Sequence, residues 1–257
     1  MFAHLRQRVQ DKTRRLSYRR KARVFCVGTA KSGTHSIDTM FDRGVRTSHE
    51  PADHELLSVI LEQDTKEEAA RGLGPRVRER VEYLCLDVDS SQLNFFILDA
   101  LLAEYPDARF LLPIREPKRW LRSFIDDSLR RETTPAWQAF RDLRFGSDTP
   151  HPPEEAPLAR RGLYTLDGYL AYWHWHNHCV LERVPEQRLL VFPTRDIDSR
   201  ARQISRFCGI DEQHVNPQGT HAFKNDRRFG VLEELDPDYL QSKIDAYFDS
   251  RLQALVG

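Results

Sequence analysis

Apolar residues along this chain come in two patterns. Short solid blocks alternate with longer stretches in which they recur every three or four positions. "ARVFCVG" (22–28), "EYLCLDV" (82–88), "ARFLLPIRE" (108–116) and "QRLLVFP" (187–193) are near-continuous apolar runs. Such runs predict strands covered on both faces. Between them the helical period returns. "THSIDTMFDRG" predicts a helix ending at Gly44, and "ADHELLSVILEQ" one that starts near Asp53 as its cap. "SSQLNFFILDALLAEYP" predicts a helix entered through Ser90 or Ser91, and Pro117 opens the next at the tolerated first position. "TLDGYLAYWHWHNHCVLERV" and "DSRARQISRFCGI" follow, and "DPDYLQSKIDAYFDSRLQAL" reads as one final helix. The proline-rich "GSDTPHPPEEAP" (146–157) interrupts this order as a surface loop and a candidate lid. Strands alternating with helices predict an α/β, P-loop-like three-layer fold, with a central, mainly parallel sheet flanked by helices.

Where the first strand meets the first helix the chain reads "FCVGTAKSGTHS". Gly28 and Gly33 keep the spacing of a nucleotide-hydrolase phosphate loop and Thr34 follows, but the lysine, Lys31, sits inside the loop rather than after the second glycine. A strand–glycine loop–helix unit binds anions because several backbone N–H groups converge there, aided by the positive end of the helix. Lys31, Ser32, Thr34 and Ser36 add one cation and three hydroxyls around a single turn. A second candidate anion site is "PIREPKRWLRSF", with Arg115 at a predicted strand's carboxyl end and Ser123 inside the following helix. Ligands of open parallel sheets sit at the strands' carboxyl ends, so Lys31 and Arg115 are expected on one crevice. Two separated cationic sites on one rim suit a nucleoside carrying phosphates at both ends.

Composition narrows the setting. The 257 residues suit one large domain, and 39 basic side chains balance 39 acidic ones, so the whole molecule offers no general field for nucleic acid or membrane. The imbalance is local: nine lysines and arginines against Asp11 between Arg6 and Arg23. With Leu5, Val9 and Leu16 near helical spacing, residues 1–23 read as a basic helical lead-in to a domain over 24–257. It either packs one edge on that domain or touches an anionic surface. No apolar stretch approaches the ~20 residues a bilayer crossing needs, and no apolar core of a secretory signal is present. Cys26, Cys85, Cys179 and Cys208 form no C-x-x-C pair, which points to reduced thiols and a cytoplasmic setting.

"GTAKSGTHS" resembles the 5′-phosphosulfate loop of sulfotransferases that use 3′-phosphoadenosine 5′-phosphosulfate (PAPS). "IREPKRWLRSF" is similar to that family's 3′-phosphate motif, an arginine followed eight residues later by serine. The resemblance covers roughly Val24 to Ser128. It implies that Lys31, Ser32, Gly33, Thr34, His35 and Ser36 hold the 5′-phosphate and sulfonate, and that Arg115 and Ser123 hold the 3′-phosphate. The product would be adenosine 3′,5′-bisphosphate (PAP), with no metal required. Ala30 replaces the proline of the cytosolic branch, Ile37 offers no adenine stack and the R-K-G motif is missing, with Lys224, Arg227 and Arg228 of "HAFKNDRRFG" as substitutes. These departures point to the carbohydrate, tyrosine-sulfating or bacterial branches, and so to a hydroxyl or amine of a carbohydrate or other small-molecule acceptor. The resemblance also implies a general base shortly after the first helix, where "RTSHEPADHE" supplies Glu50, with His49 and His54 as alternatives.

Other readings stay open. A small-molecule kinase or nucleotide hydrolase would use Asp87 as its acidic metal ligand, and a non-catalytic nucleotide- or glycan-binding protein would need only the fold. His174 and His178, four apart on a helix, have no third metal ligand in view. Tyr172, Trp173 and Trp175 beside them either pack in the core or line an acceptor pocket. Neither the acceptor's identity nor the oligomeric state is legible.

Overall fold

The computed structural model describes residues 18–41, 43–63, 73–216 and 228–256. Five parallel strands form one sheet: β1 (Val24–Cys26), β2 (Thr47–His49), β3 (Val88–Ser90), β4 (Arg109–Ile114) and β5 (Leu189–Pro193), in the spatial order β2-β3-β1-β4-β5. The chain runs from β1 out to the β2 edge, returns through β3 and then crosses to β4 on the far side of β1. β1 therefore marks the point where the direction of winding reverses, and the crevice of such sheets opens there.

The solid apolar blocks form strands because both faces are covered. Along β1 the side chains alternate, with Val24 and Cys26 packing into a cluster with Ile37, Leu111 and Ile204, and Phe25 and Val27 into a larger one with Phe110, Leu112 and Trp173. The helices are α1 (Thr34–Met40), α2 (Asp53–Gln63), α3 (Leu73–Leu84), α4 (Leu98–Glu104), α5 (Pro117–Arg130), α6 (Pro135–Phe145), α7 (Ala156–Ala159), α8 (Leu166–Arg183), α9 (Ala201–Cys208), α10 (Pro237–Tyr247) and α11 (Ser250–Val256). The start of α5 carries Pro117 just inside its end, and Glu116 accepts from the N–H groups of Lys118 and Arg119, both at 2.9 Å.

Several boundaries differ from the sequence reading. The strand expected over 82–88 is displaced: α3 runs to Leu84, Cys85 turns the chain with φ 48°, and the strand is Val88–Ser90. "EYL" completes the helical period of Val77 and Val81, and that longer pattern prevails. Ser90 is consequently a strand residue, and Ser91 caps a 3₁₀ turn by accepting from Leu93 N–H at 3.1 Å. The first helix stops at Met40 rather than Gly44, and Asp53 is the first residue of α2 rather than its cap. The tail is two helices, because Phe248 leaves helical geometry and Asp249 restarts the chain by accepting from Leu252 N–H at 3.0 Å. The second part of the candidate lid, over 153–157, is a 3₁₀ turn and the start of α7, tethered by fully buried Glu155, which accepts from Leu166 N–H at 2.9 Å and Tyr239 O–H at 3.0 Å. Of the proposed helical lead-in over 1–23, residues 1–17 lie outside the described residues and 18–23 are not helical.

Candidate active site

The glycine loop leaves β1 between two constraints. Gly28 has no room for a side chain, since a Cβ there would stand 2.5 Å from Ser32 Oγ and 2.9 Å from Pro113. Gly33 takes φ 99°, and a Cβ would meet Ile197 at 2.6 Å. Gly33→Ala should therefore cost about 1–3 kcal/mol of stability, read as a lowered denaturation midpoint. Ser32, fully buried, turns both of its donors inward, with its hydroxyl on Thr29 O at 2.6 Å and its N–H on the same oxygen at 3.2 Å. It is a staple of the loop. Thr194 Oγ1 donates to Ser32 O at 2.7 Å, and Trp120 Nε1 to Ala30 O at 2.8 Å.

Lys31 itself takes φ 65°, and its ammonium pairs with Asp127 of α5 at 3.3 Å. Burial pushes the Lys31 pKa down, against the pull of Asp127. Burial alone would raise Asp127, but Lys31, Arg130 and Arg131 outweigh it and hold the carboxyl below its usual range. Arg115, at the tip of β4, donates from Nη1 to Lys31 O at 3.0 Å, so one hydrogen bond joins the two predicted anion sites. The guanidinium is half-buried, its pKa lowered by desolvation and by Arg119, and no carboxylate lies within 4.0 Å of it among the described residues. Glu116 attracts it from further off, and a half-buried cation outside any direct ion pair is suited to an anionic ligand. Ser123 stands half-buried two turns into α5. Three residues on, buried Asp126 accepts from Phe229 N–H at 3.0 Å, which lays exposed Arg228 along the same helix. Lys224 and Arg227 lie outside the described residues.

The opposite wall is the tip of β2, a polar three-residue edge strand that the apolar pattern does not reveal. Thr34 Oγ1 meets His49 Nε2 at 3.1 Å, and the His35 and His49 rings stack at 4.8 Å. Burial, then the neighbouring His35, pushes the His49 pKa down to about 4, so this ring is neutral near pH 7. Glu50 follows with φ 48°, its N–H on Ser90 O at 3.0 Å and its Oε1 accepting from Gln92 Nε2 at 2.6 Å. Its pKa is raised, chiefly by burial. Arg144 Nη1 supports Gln92 Oε1 at 2.9 Å, while Arg80 pairs with buried Asp89 at 2.6 Å and donates to Pro51 O at 3.0 Å. His54 is exposed on α2.

A sequence profile of the sulfotransferase domain matches residues 23–199. The chain belongs to the sulfotransferase family. As such it is an enzyme of PAPS-dependent sulfonate transfer. Its fold is similar to that of a sulfotransferase from Alicyclobacillus acidocaldarius, with 17% identity over 93% of this chain and 96% of the other, TM-score 0.50. It is likewise similar to sulfotransferase STF9 from Mycobacterium avium, with 15% identity over 95% and 80% of the two chains, TM-score 0.51. No curated protein matches the sequence. Among the described residues no helix is long and apolar enough to cross a membrane.

In this sulfotransferase, Asp87 is not at a carboxyl tip. It precedes β3 at the amino ends of the strands, where its buried carboxylate accepts from the N–H groups of Lys21 at 2.6 Å, Ala22 at 3.1 Å and Arg46 at 2.7 Å, and from the Tyr18 hydroxyl. The acid that a kinase would need for its metal is a structural clamp. His174 and His178 gain the third neighbour the sequence did not reveal: Asp249 accepts from His178 Nε2 at 2.6 Å, and His174 Nδ1 lies 2.8 Å from Tyr247 O. These contacts pin α8 to the corner between α10 and α11. Trp173 is core, with its Nε1 on Arg115 O at 3.2 Å, and buried His176 reaches Val27 O at 2.7 Å. Gln92, Asp127 and Arg144 escaped the sequence reading because no motif marks them.

Proposed function

We propose that this sulfotransferase grips the two ends of one doubly phosphorylated adenosine with the loop around Lys31 and the pair Arg115–Ser123, and transfers its sulfonate to a hydroxyl of a small-molecule acceptor. The observation that carries this reading is the Arg115–Lys31 O hydrogen bond of 3.0 Å, which couples two half-buried cations on adjacent strand tips. Thr34, His35, Ser36 and the backbone of the loop surround the sulfonate end, and Arg228 is the described residue on hand to extend the 3′-phosphate end. The departures at Ala30 and Ile37 favour the carbohydrate, tyrosine-sulfating or bacterial branch, and four free thiols suit a reducing, cytoplasmic compartment.

The chemistry follows from positions. The acceptor oxygen attacks sulfur in line, forming one S–O bond as the S–O bond to the 5′-phosphate breaks. The acceptor's proton passes to Glu50, whose desolvated carboxylate is a stronger base than an exposed one. His49 is held by Thr34 and is neutral, so it shapes the crevice. Lys31 exchanges Asp127 for the leaving phosphate and neutralises the charge that grows there.

Titration calorimetry with PAP in the absence of magnesium tests the site directly. Saturable binding is expected, and preference for magnesium–ATP would overturn the reading. Arg115→Ala should weaken PAP by about 10- to 100-fold, the worth of a charge-assisted contact, and lower turnover at saturating donor much less. An unchanged dissociation constant would place the 3′-phosphate elsewhere.

A further inference from the structure

Beside the Glu50 corner a cavity of about 500 Å³ opens between α2, α6 and α8, with Ile60, Phe96, Leu143, Arg144, Tyr172 and Trp175 on its walls. That volume is in the range of small-ligand sites. Three large apolar side chains are exposed among the described residues, and two of them, Leu143 and Trp175, stand on this wall. Their exposure costs solvation free energy, and its concentration in one concave place marks a surface meant to be covered. Trp175 is held edge-on by Phe95 at 5.0 Å, so its face is presented rather than loose. A chain of two hydrogen bonds links this wall to the base. Arg144, on its wall, donates to Gln92, and Gln92 donates to Glu50, at 2.9 and 2.6 Å. Ile60 lies on α2, the helix that starts three residues after Glu50.

The polar groups on this wall are already engaged. Arg144 stacks on Phe140 at 4.1 Å and Phe145 at 4.7 Å and bonds Gln92 and Phe140 O, while the Tyr172 hydroxyl meets His176 Nδ1 at 3.1 Å. A sugar, with a hydroxyl on nearly every carbon, would lose its water here and find few partners. A flat ring with a single hydroxyl loses little and gains aromatic contact. A phenolic proton, pKa ≈ 10, is also far easier for a carboxylate to accept than that of an aliphatic alcohol.

We infer that this cavity is the acceptor site and that the acceptor is a phenol, its ring against Trp175 and Leu143 and its hydroxyl toward Glu50. The inference rests on the transfer reading above and runs against the carbohydrate acceptor expected from the loop's departures. In the step it implies, the phenolic oxygen forms the new bond to sulfur, its proton goes to Glu50, and the bisphosphate departs with the electron pair of the broken S–O bond.

The test uses the full chain saturated with PAP. Calorimetric titration with 4-nitrophenol should show saturable binding, and N-acetylglucosamine should show none. With PAPS as donor, 4-nitrophenol should be sulfated at a higher kcat/KM than the sugar. Trp175→Ala should raise the KM for 4-nitrophenol about 10- to 100-fold, and Leu143→Gln in the same direction, both with the PAP dissociation constant unchanged. That unchanged constant also shows the variants are folded. Preference for the sugar, or an unmoved KM in both variants, would overturn the acceptor assignment while leaving the donor site standing. Failure of PAP to bind the wild-type chain would instead overturn the reading on which it rests.

Discussion

Lys31→Ala should lower turnover by about 10²–10³-fold at saturating donor and acceptor, the loss expected when a group aimed at developing charge is removed. The ammonium is the loop's one cation, and the breaking S–O bond leaves its electron pair on the phosphate oxygen nearby. PAP binding should weaken too, because the product already carries that charge, but by less than turnover. The fold should survive the change. Asp127, the partner left behind, keeps Arg130 at 2.5 Å and Arg131 at 3.3 Å, so no carboxylate is stranded. The pair is partly buried, so what its loss costs the fold is read from the melt itself. Rapid-quench kinetics with labelled PAPS, beside a thermal melt, separates the two quantities. A variant with wild-type turnover would remove Lys31 from the mechanism.

Glu50→Gln should reduce turnover by about 10²–10⁴-fold, the usual contribution of a positioned base, with PAP affinity nearly intact. The replacement is close to isosteric and its amide oxygen can still accept from Gln92, so the corner at φ 48° keeps its hydrogen bond. The wild-type pH profile follows from the same carboxyl. Its folded pKa is raised by burial, so the acid limb of kcat should lie above the ordinary carboxylate range, with turnover rising as Glu50 loses its proton. The stability sign is opposite. A carboxyl with a raised folded pKa lends stability at low pH that is lost as pH climbs through that value. Glu50→Gln, permanently neutral, should therefore melt higher than wild type near pH 7, and the gap should close toward acid pH. An unshifted acid limb, or normal turnover in the variant, would pass the base's role to another group.

Which parts of this were legible beforehand depends on the range of the physics involved. The loop from Gly28 to Ser36 was readable because backbone conformation and steric room act locally: φ 99° at Gly33 and the closed space at Gly28 demand those residues in any context. Arg115 was readable because a helix start at Pro117 places it at a strand tip. Ser32 was assigned to the loop, but its inward hydroxyl was not legible, since it depends on where Thr29 O comes to rest. β2 was missed because an edge strand made of Thr47, Ser48 and His49 takes its order from β3, not from its own side chains. Asp87 was misread for the same kind of reason: a shift in a strand of three residues moves an acid from one rim of the sheet to the other.

The sequence alone determined the alternation of buried strands and amphipathic helices, the loop, and the two cationic motifs, since period, chirality and side-chain size are properties of short segments. Only the tertiary structure decided that Arg115 would hold the backbone of Lys31, that Asp127 would park its ammonium, and that Gln92 and Arg144 would brace Glu50 beside an aromatic cavity. Those contacts join residues up to 96 positions apart in the case of Lys31 and Asp127. No local pattern encodes a distance of that kind; it exists once the sheet has fixed which strand tips are neighbours.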